Sequence, residues 1–150
     1  MKKLFFGFSV AVLFLAISPF TIRAQAARLW VAPRPGVWKV TAGDEANTKW
    51  SGQLRLSKVS GRGSVKYKGY FYWVSGDKVT SGREYFTGHF MRRTGKLRLA
   101  GFKVKNNRGE LGTSNYVASV NQKGKNIHNG SWSGNGSVPG KWSAVWTRAR

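Results

Sequence analysis

The sequence predicts an all-β fold, a single antiparallel, eight-stranded up-and-down barrel. Three observations predict it. Apolar and polar residues alternate with period two along most of the chain, the spacing of strands with one buried face. Gly, Asn, Ser and Asp break that alternation every dozen or so residues, as tight turns between short strands require. No segment carries a helical stripe of apolar residues.

The strands are expected at about 36–41, 50–57, 64–74, 83–92, 96–105, 114–121, 126–132 and 140–147. On the first, Trp38 and Val40 share a face; on the second, Trp50, Leu54 and Leu56 do. The third sets Val65, Tyr67, Gly69, Phe71 and Trp73 on one side, with Lys66, Lys68, Tyr70 and Tyr72 opposite. The fourth sets Glu84, Phe86, Gly88 and Phe90 against Arg83, Tyr85, Thr87 and His89. The last carries Trp142, Ala144 and Trp146 together. One apolar and one basic face fit an antiparallel sheet solvated on one side, and eight such strands remove their exposed edges by closing into a barrel.

Pairing Phe71 with Phe86 sets Gly69 opposite Gly88, Trp73 opposite Glu84 and Tyr67 opposite Phe90. A two-residue turn at Thr94-Gly95 then sets Gly88 opposite Gly101, aligning three inward glycines. Such a row either eases tight bending or leaves bare wall for a ligand or a large ring. The same register sets Glu84 opposite Lys105, near Lys103, as an ion pair at the barrel mouth.

The N-terminus is organised differently. Lys2 and Lys3 precede an apolar run from Leu4 to Phe20, and Ala24-Gln25-Ala26 offers small residues for cleavage. Residues 1–26 therefore read as a secretory signal peptide, too short and interrupted for a membrane anchor. Residues 27–35 read as an irregular lead with little structure, and 36–150 as the barrel domain. The expected location is periplasmic or secreted, after cleavage near Ala26.

The chain has 26 Lys and Arg against 5 Asp and Glu, a formal charge of +21, and no cysteine. Loss of Lys2, Lys3 and Arg23 with the signal leaves about +18, a surface that attracts polyanions. Without cysteine there are no disulfides, thiolate metal sites or lipidated cysteine. His89 and His128 are the only histidines, and no acids cluster with them, so no metal site or cofactor is expected. Paired carboxylates for glycoside hydrolysis, a nucleophile elbow and a phosphate-binding loop are absent from the sequence. A non-enzymatic protein is expected.

Two constellations remain as binding candidates. Inside, Trp38, Trp50, Tyr67, Phe71, Trp73, Phe86, Phe90, Trp142 and Trp146 point one way, either filling the lumen or lining a pocket for a small hydrophobic ligand. Outside, Tyr72 would lie across from Tyr85 and Lys68 from His89, flanked by Lys66, Tyr70 and Arg83. Rings interleaved with cations suit an anionic polymer such as a polysaccharide or lipopolysaccharide, or are ordinary cross-strand pairs. The export signal disfavours nucleic acid.

Gly36-Val37-Trp38 on the first strand resembles the glycine-x-tryptophan signature of the calycin superfamily, the lipocalin and avidin type of barrel. Arg148 stands where those barrels place a basic residue over that tryptophan, and Phe86-Thr87-Gly88 and Gly140-Lys141-Trp142 are similar to avidin motifs. The resemblance implies the barrel fold and a habit of holding small ligands. It does not extend to biotin, because Lys39 and Val40 stand where avidins supply an asparagine. The alternatives are a small outer-membrane barrel and a secreted cationic inhibitor or toxin acting on an acidic partner.

Overall fold

Apolar and polar residues that alternate along the strands are separated by curling the sheet so that the apolar side chains meet inside. The computed structural model describes residues 29–59, 64–134 and 137–149; the expected signal peptide lies outside them. Eight strands form: β1 Gly36–Asp44, β2 Lys49–Val59, β3 Val65–Ser75, β4 Ser81–Met91, β5 Lys96–Arg108, β6 Asn115–Val120, β7 Asn126–Gly134 and β8 Ser137–Arg148. They pair in sequence order and β8 returns to β1, giving a closed antiparallel up-and-down barrel. The connections β1–β2, β3–β4, β5–β6 and β7–β8 share one end, the upper. The chain's lead and the other three connections share the lower end.

The lower and middle lumen is packed solid. Trp38, Leu54, Leu56, Phe71, Phe90 and Leu97 have no solvent exposure, and Tyr67, Phe86, Leu99 and Ile127 have almost none. Each such side chain contributes about 1.5–3 kcal/mol on leaving water, which offsets the absence of any disulfide.

Registers differ from the expected ones by two residues. Phe71 pairs with Glu84, Gly69 with Phe86, Tyr67 with Gly88 and Trp73 with Gly82. The β4–β5 turn is a four-residue loop between Met91 and Lys96, so Phe86 faces Gly101 and Gly88 faces Leu99. The three glycines thus do not line up. In this register two of the large rings gain room from glycines on the neighbouring strands. Phe86 lies between Gly69 and Gly101, and Trp73 between Gly52 and Gly82.

A second departure is a bulge in β5 between the pairs Tyr85–Lys103 and Phe86–Gly101. It inserts Phe102, 63% exposed, and reverses which face each later residue takes. Val104 therefore pairs with Glu84, while Lys103 and Lys105 are exposed. The expected Glu84–Lys105 ion pair does not form.

From Leu29 to Pro35 the lead takes up neither helix nor strand and crosses the lower end. Trp30 N donates to Arg92 O at 2.8 Å and Arg34 N to Gly124 O at 3.0 Å. The buried Tyr67 hydroxyl donates to Pro33 O at 2.6 Å, and Trp38 Nε1 to Arg34 O at 3.1 Å. The Trp30 ring packs where Gly95, at φ +67°, has no side chain.

Candidate functional site

Because the lead closes the lower end, the lumen is accessible from above. There a cavity of about 250 Å³ is open to solvent. Its walls combine four rings (Trp50, Trp73, Tyr116 and Trp132) with the carboxylates of Asp44, Glu84 and Glu110. Leu111, Gly112 and Ser114 of the β5–β6 connection complete one side. That side belongs to the connection because β6 pairs only with the lower half of β5, from Lys96 to Ala100.

The floor is aromatic. The Phe71 ring stacks on Trp73 with centroids 4.9 Å apart and lies 4.5 Å from Tyr116 and 5.4 Å, edge-on, from Trp142. Such offset and edge-to-face pairs add about 0.5–1.5 kcal/mol each beyond area burial, so the floor is a rigid platform.

Glu84 is 1% exposed. Its Oε1 accepts from Ser114 N at 2.6 Å, and its Oε2 accepts from the Tyr116 hydroxyl. Burial pushes its pKa up to about 7, and the Tyr116, Ser114 and Trp73 donors counteract this only in part. The same burial, together with the adjacent Glu84 charge, raises the Tyr116 hydroxyl well above its ordinary range. Asp44 is held by Thr48 N at 2.8 Å and Trp50 Nε1 at 2.9 Å, and Trp132 Nε1 donates to Val138 O at 2.7 Å. The rim is thereby fixed by its own hydrogen bonds.

Of the nine expected lumen residues, Trp50 and Trp73 line this cavity. Phe71, Phe86 and Trp142 are buried beneath it, and Trp38, Tyr67 and Phe90 fill the closed lower half. Trp146 sits at the lower rim, donating to Pro35 O at 3.1 Å under the cations of Arg34 and Lys125. Arg148 is exposed, and the neighbour held by the buried Trp38 indole is the Arg34 carbonyl. Sequence reasoning missed Tyr116, Trp132, Asp44 and Glu110. Tyr116 and Trp132 alternate inward on β6 and β7 and were legible as such; the two acids sit in or beside connections, where alternation carries no information.

The outer candidates form one wall on β2–β5. Tyr70 pairs with Tyr85, Tyr72 with Arg83, and Lys66 with His89, replacing the expected Tyr72–Tyr85 and Lys68–His89 pairs. Arg83 lies over the Tyr70 ring at 5.2 Å, and the Tyr70 and Tyr85 rings are 5.8 Å apart. Arg55 pairs with Tyr70 on one side and Lys103 with Tyr85 on the other, so cations flank the rings.

No protein-family model matches the chain, and no curated protein matches it at a significant level. Solved β-barrels do match in fold. EF1p2_mFAP2b bound to DFHBI is similar at 13% identity and a TM-score of 0.50, covering 76% of this chain and 93% of that one. A redesigned β-barrel, mFAP1, bound to DFHBI is similar at 15% identity and a TM-score of 0.47, covering 76% and 94%. The class defined here is the eight-stranded up-and-down β-barrel.

Proposed function

We propose that this protein is an exported, non-enzymatic binding barrel that holds a small, partly apolar ligand in its upper cavity. The observation that carries the proposal is the asymmetry of the lumen. One half is filled by fully buried side chains, whereas the other keeps an open, ring-walled space in which Asp44, Trp50, Glu84, Tyr116 and Trp132 are held by hydrogen bonds. Pockets of this kind, mostly apolar with a few convergent polar groups, are the usual form of small-molecule sites. A barrel of similar fold that carries DFHBI is a precedent for the architecture. The orientation of the faces, rings inside and cations outside, is the inverse of an outer-membrane barrel and favours an aqueous compartment. The signal-like N-terminus supports export.

Native mass spectrometry of protein from its own source tests the reading. A bound mass released by organic solvent is the expected result. A bare polypeptide mass, with no response of tryptophan fluorescence to a library of small aromatic compounds, overturns it.

A second reading concerns the outside. The rows Arg55–Tyr70–Tyr85–Lys103 and Lys66–His89–Arg98 put cations and rings side by side on one wall, and an anionic polymer such as a polysaccharide fits that wall. The two readings occupy different surfaces and are compatible.

A further inference from the structure

The chain has 26 basic residues and only 5 acids, and the acids are not scattered. Asp44 ends β1 and Glu45 follows it; Asp77 lies in the β3–β4 connection, Glu84 inside upper β4, and Glu110 in the β5–β6 connection. All five therefore sit at the upper end of the barrel. Three of them, Asp44, Glu84 and Glu110, line the cavity, and none of its lining residues is Lys, Arg or His. Basic residues do occur at that end, among them Lys49, Lys78, Arg83, Lys105, Arg108 and Lys141, but they are exposed and stand outside the lining.

A protein this basic would present cations to its own pocket if placement were indifferent. Here the cavity walled by Trp50, Trp73, Tyr116 and Trp132 is also where negative charge gathers among the described residues. The indole N–H groups of Trp50 and Trp132 are already committed to Asp44 and Val138, so those rings have carbon edges and π faces left to offer. Ring faces and carboxylates both attract positive charge, the former through the aromatic quadrupole. Among the described residues no group of three or more His, Asp or Glu converges closely enough to hold a metal ion. The charge is spread around a ring-lined wall, a geometry that suits a larger, partly apolar cation.

Resting on the cavity as the ligand site, we infer that its ligand is a small organic cation, an aromatic or aliphatic amine, whose ammonium group faces Asp44 and Glu110 while its apolar part contacts Trp50, Trp73 and Trp132. The cationic exterior then acts as a filter. It repels such ligands except along the acidic mouth, and the lining disfavours the carboxylates that the rest of the surface attracts.

Three matched probes decide the matter: 2-phenylethylamine, 2-phenylethanol and 3-phenylpropionate, titrated by calorimetry and tryptophan fluorescence. The amine is expected to bind at least about tenfold tighter than either analogue. Glu110→Gln, at an exposed position, is expected to weaken the amine severalfold and the alcohol far less, and Asp44→Asn, which also loosens Trp50, to weaken the amine more than the alcohol. Alcohol or carboxylate binding as tight as the amine's overturns the cationic ligand and leaves the cavity as a site. Absence of binding by all three at millimolar concentration overturns both. Circular dichroism of each variant separates a folding defect from a binding one, and Glu110→Gln, whose side chain is exposed, keeps the test open should Asp44→Asn fail to fold.

Discussion

The Glu84 carboxylate occupies the space where Gly101 lacks a side chain. A Cβ at Gly101 would overlap Glu84 Oε1 and come within 3.0 Å of the Ser114 carbonyl oxygen, which itself accepts from Gly101 N at 2.8 Å. Glycine is thus the residue that lets an inward acid, a β-bulge and the β5–β6 connection meet at one point.

Gly101→Ala is expected to destabilise the barrel by about 1–3 kcal/mol, the usual cost of overpacking, read as a lower urea midpoint at unchanged slope. Gly43→Ala is the control. Its added methyl would meet only Thr48 O, at 3.9 Å, so stability should stay level or rise by up to about 1 kcal/mol through the unfolded chain's lost freedom.

Glu84 also gives stability a pH dependence of definite sign. Its pKa is raised from 4.5 to about 7 in the folded protein, so folding takes up a proton between those values. Where the native state binds more protons, stability falls as pH rises. The barrel should therefore be more stable near pH 5 than near pH 8, by up to about 3 kcal/mol from this group. Asp77, whose pKa is lowered by its hydrogen bonds to Ser75 and Val79, acts in the opposite sense and only in more acidic solution. Urea unfolding across pH 5–8 checks this, and Glu84→Gln should flatten the profile.

The strands themselves were legible because alternation is a local signal and every ring had one side to face. Pairings were not. Setting Phe71 against Phe86 looks favourable as a pair contact, but in the closed sheet Phe86 takes the space beside Gly69 and Gly101, a fit that no single pair contact reveals. The bulge at Phe102 did leave a mark, since the apolar positions switch from Leu97 and Leu99 to Phe102 and Val104 across Ala100-Gly101, a change of phase that an unbroken strand cannot make. Its effect was to move Lys105 outside and leave Glu84 to neutral donors. The cavity was half legible: Trp50 and Trp73 were on the correct face, but where the lumen is filled and where it opens depends on the lead closing one end, which composition does not reveal.

That closure is testable at Tyr67. Its hydroxyl is buried, its pKa driven upward by desolvation, and it holds Pro33 O at 2.6 Å. Tyr67→Phe leaves that carbonyl without its partner and should cost about 1–3 kcal/mol. Amide exchange at Trp30 and Arg34, whose N–H groups bond across the lower end, should accelerate more than exchange within β3. Uniform acceleration would mean that the lead is not a separate closing element.

The division of the lumen predicts which tryptophans report on a ligand. Trp50, Trp73 and Trp132 line the cavity, while Trp38 is fully buried in the lower half. A bound amine should therefore quench or shift emission in the wild type. Trp73→Phe and Trp132→Phe should each remove part of that response, and Trp38→Phe should leave it intact. A response lost only in Trp38→Phe would place the ligand in the wrong half of the barrel.

The outer wall answers to salt where the cavity answers to ligand charge. Arg83 lies over Tyr70, and Lys66 and Lys68 occupy exposed outward positions on the same strand as Tyr70. If an anionic polymer lies along this wall, its affinity falls linearly on a double-logarithmic salt plot, and the slope shrinks by about one for each phosphate- or sulfate-bound cation removed. The triple variant Lys66→Ser, Lys68→Ser, Arg83→Ser should accordingly elute from immobilised heparin at clearly lower salt than the wild type. A variant with three cations removed from β8 and the lower end, Lys125→Ser, Lys141→Ser and Arg148→Ser, separates geometry from bulk charge. Equal loss from both triples would mean that the polymer reads net charge alone; a larger loss from the first would assign it to the ring-bearing wall. Glu110→Gln should change neither elution, because the acidic mouth and the basic wall lie on different surfaces of the barrel.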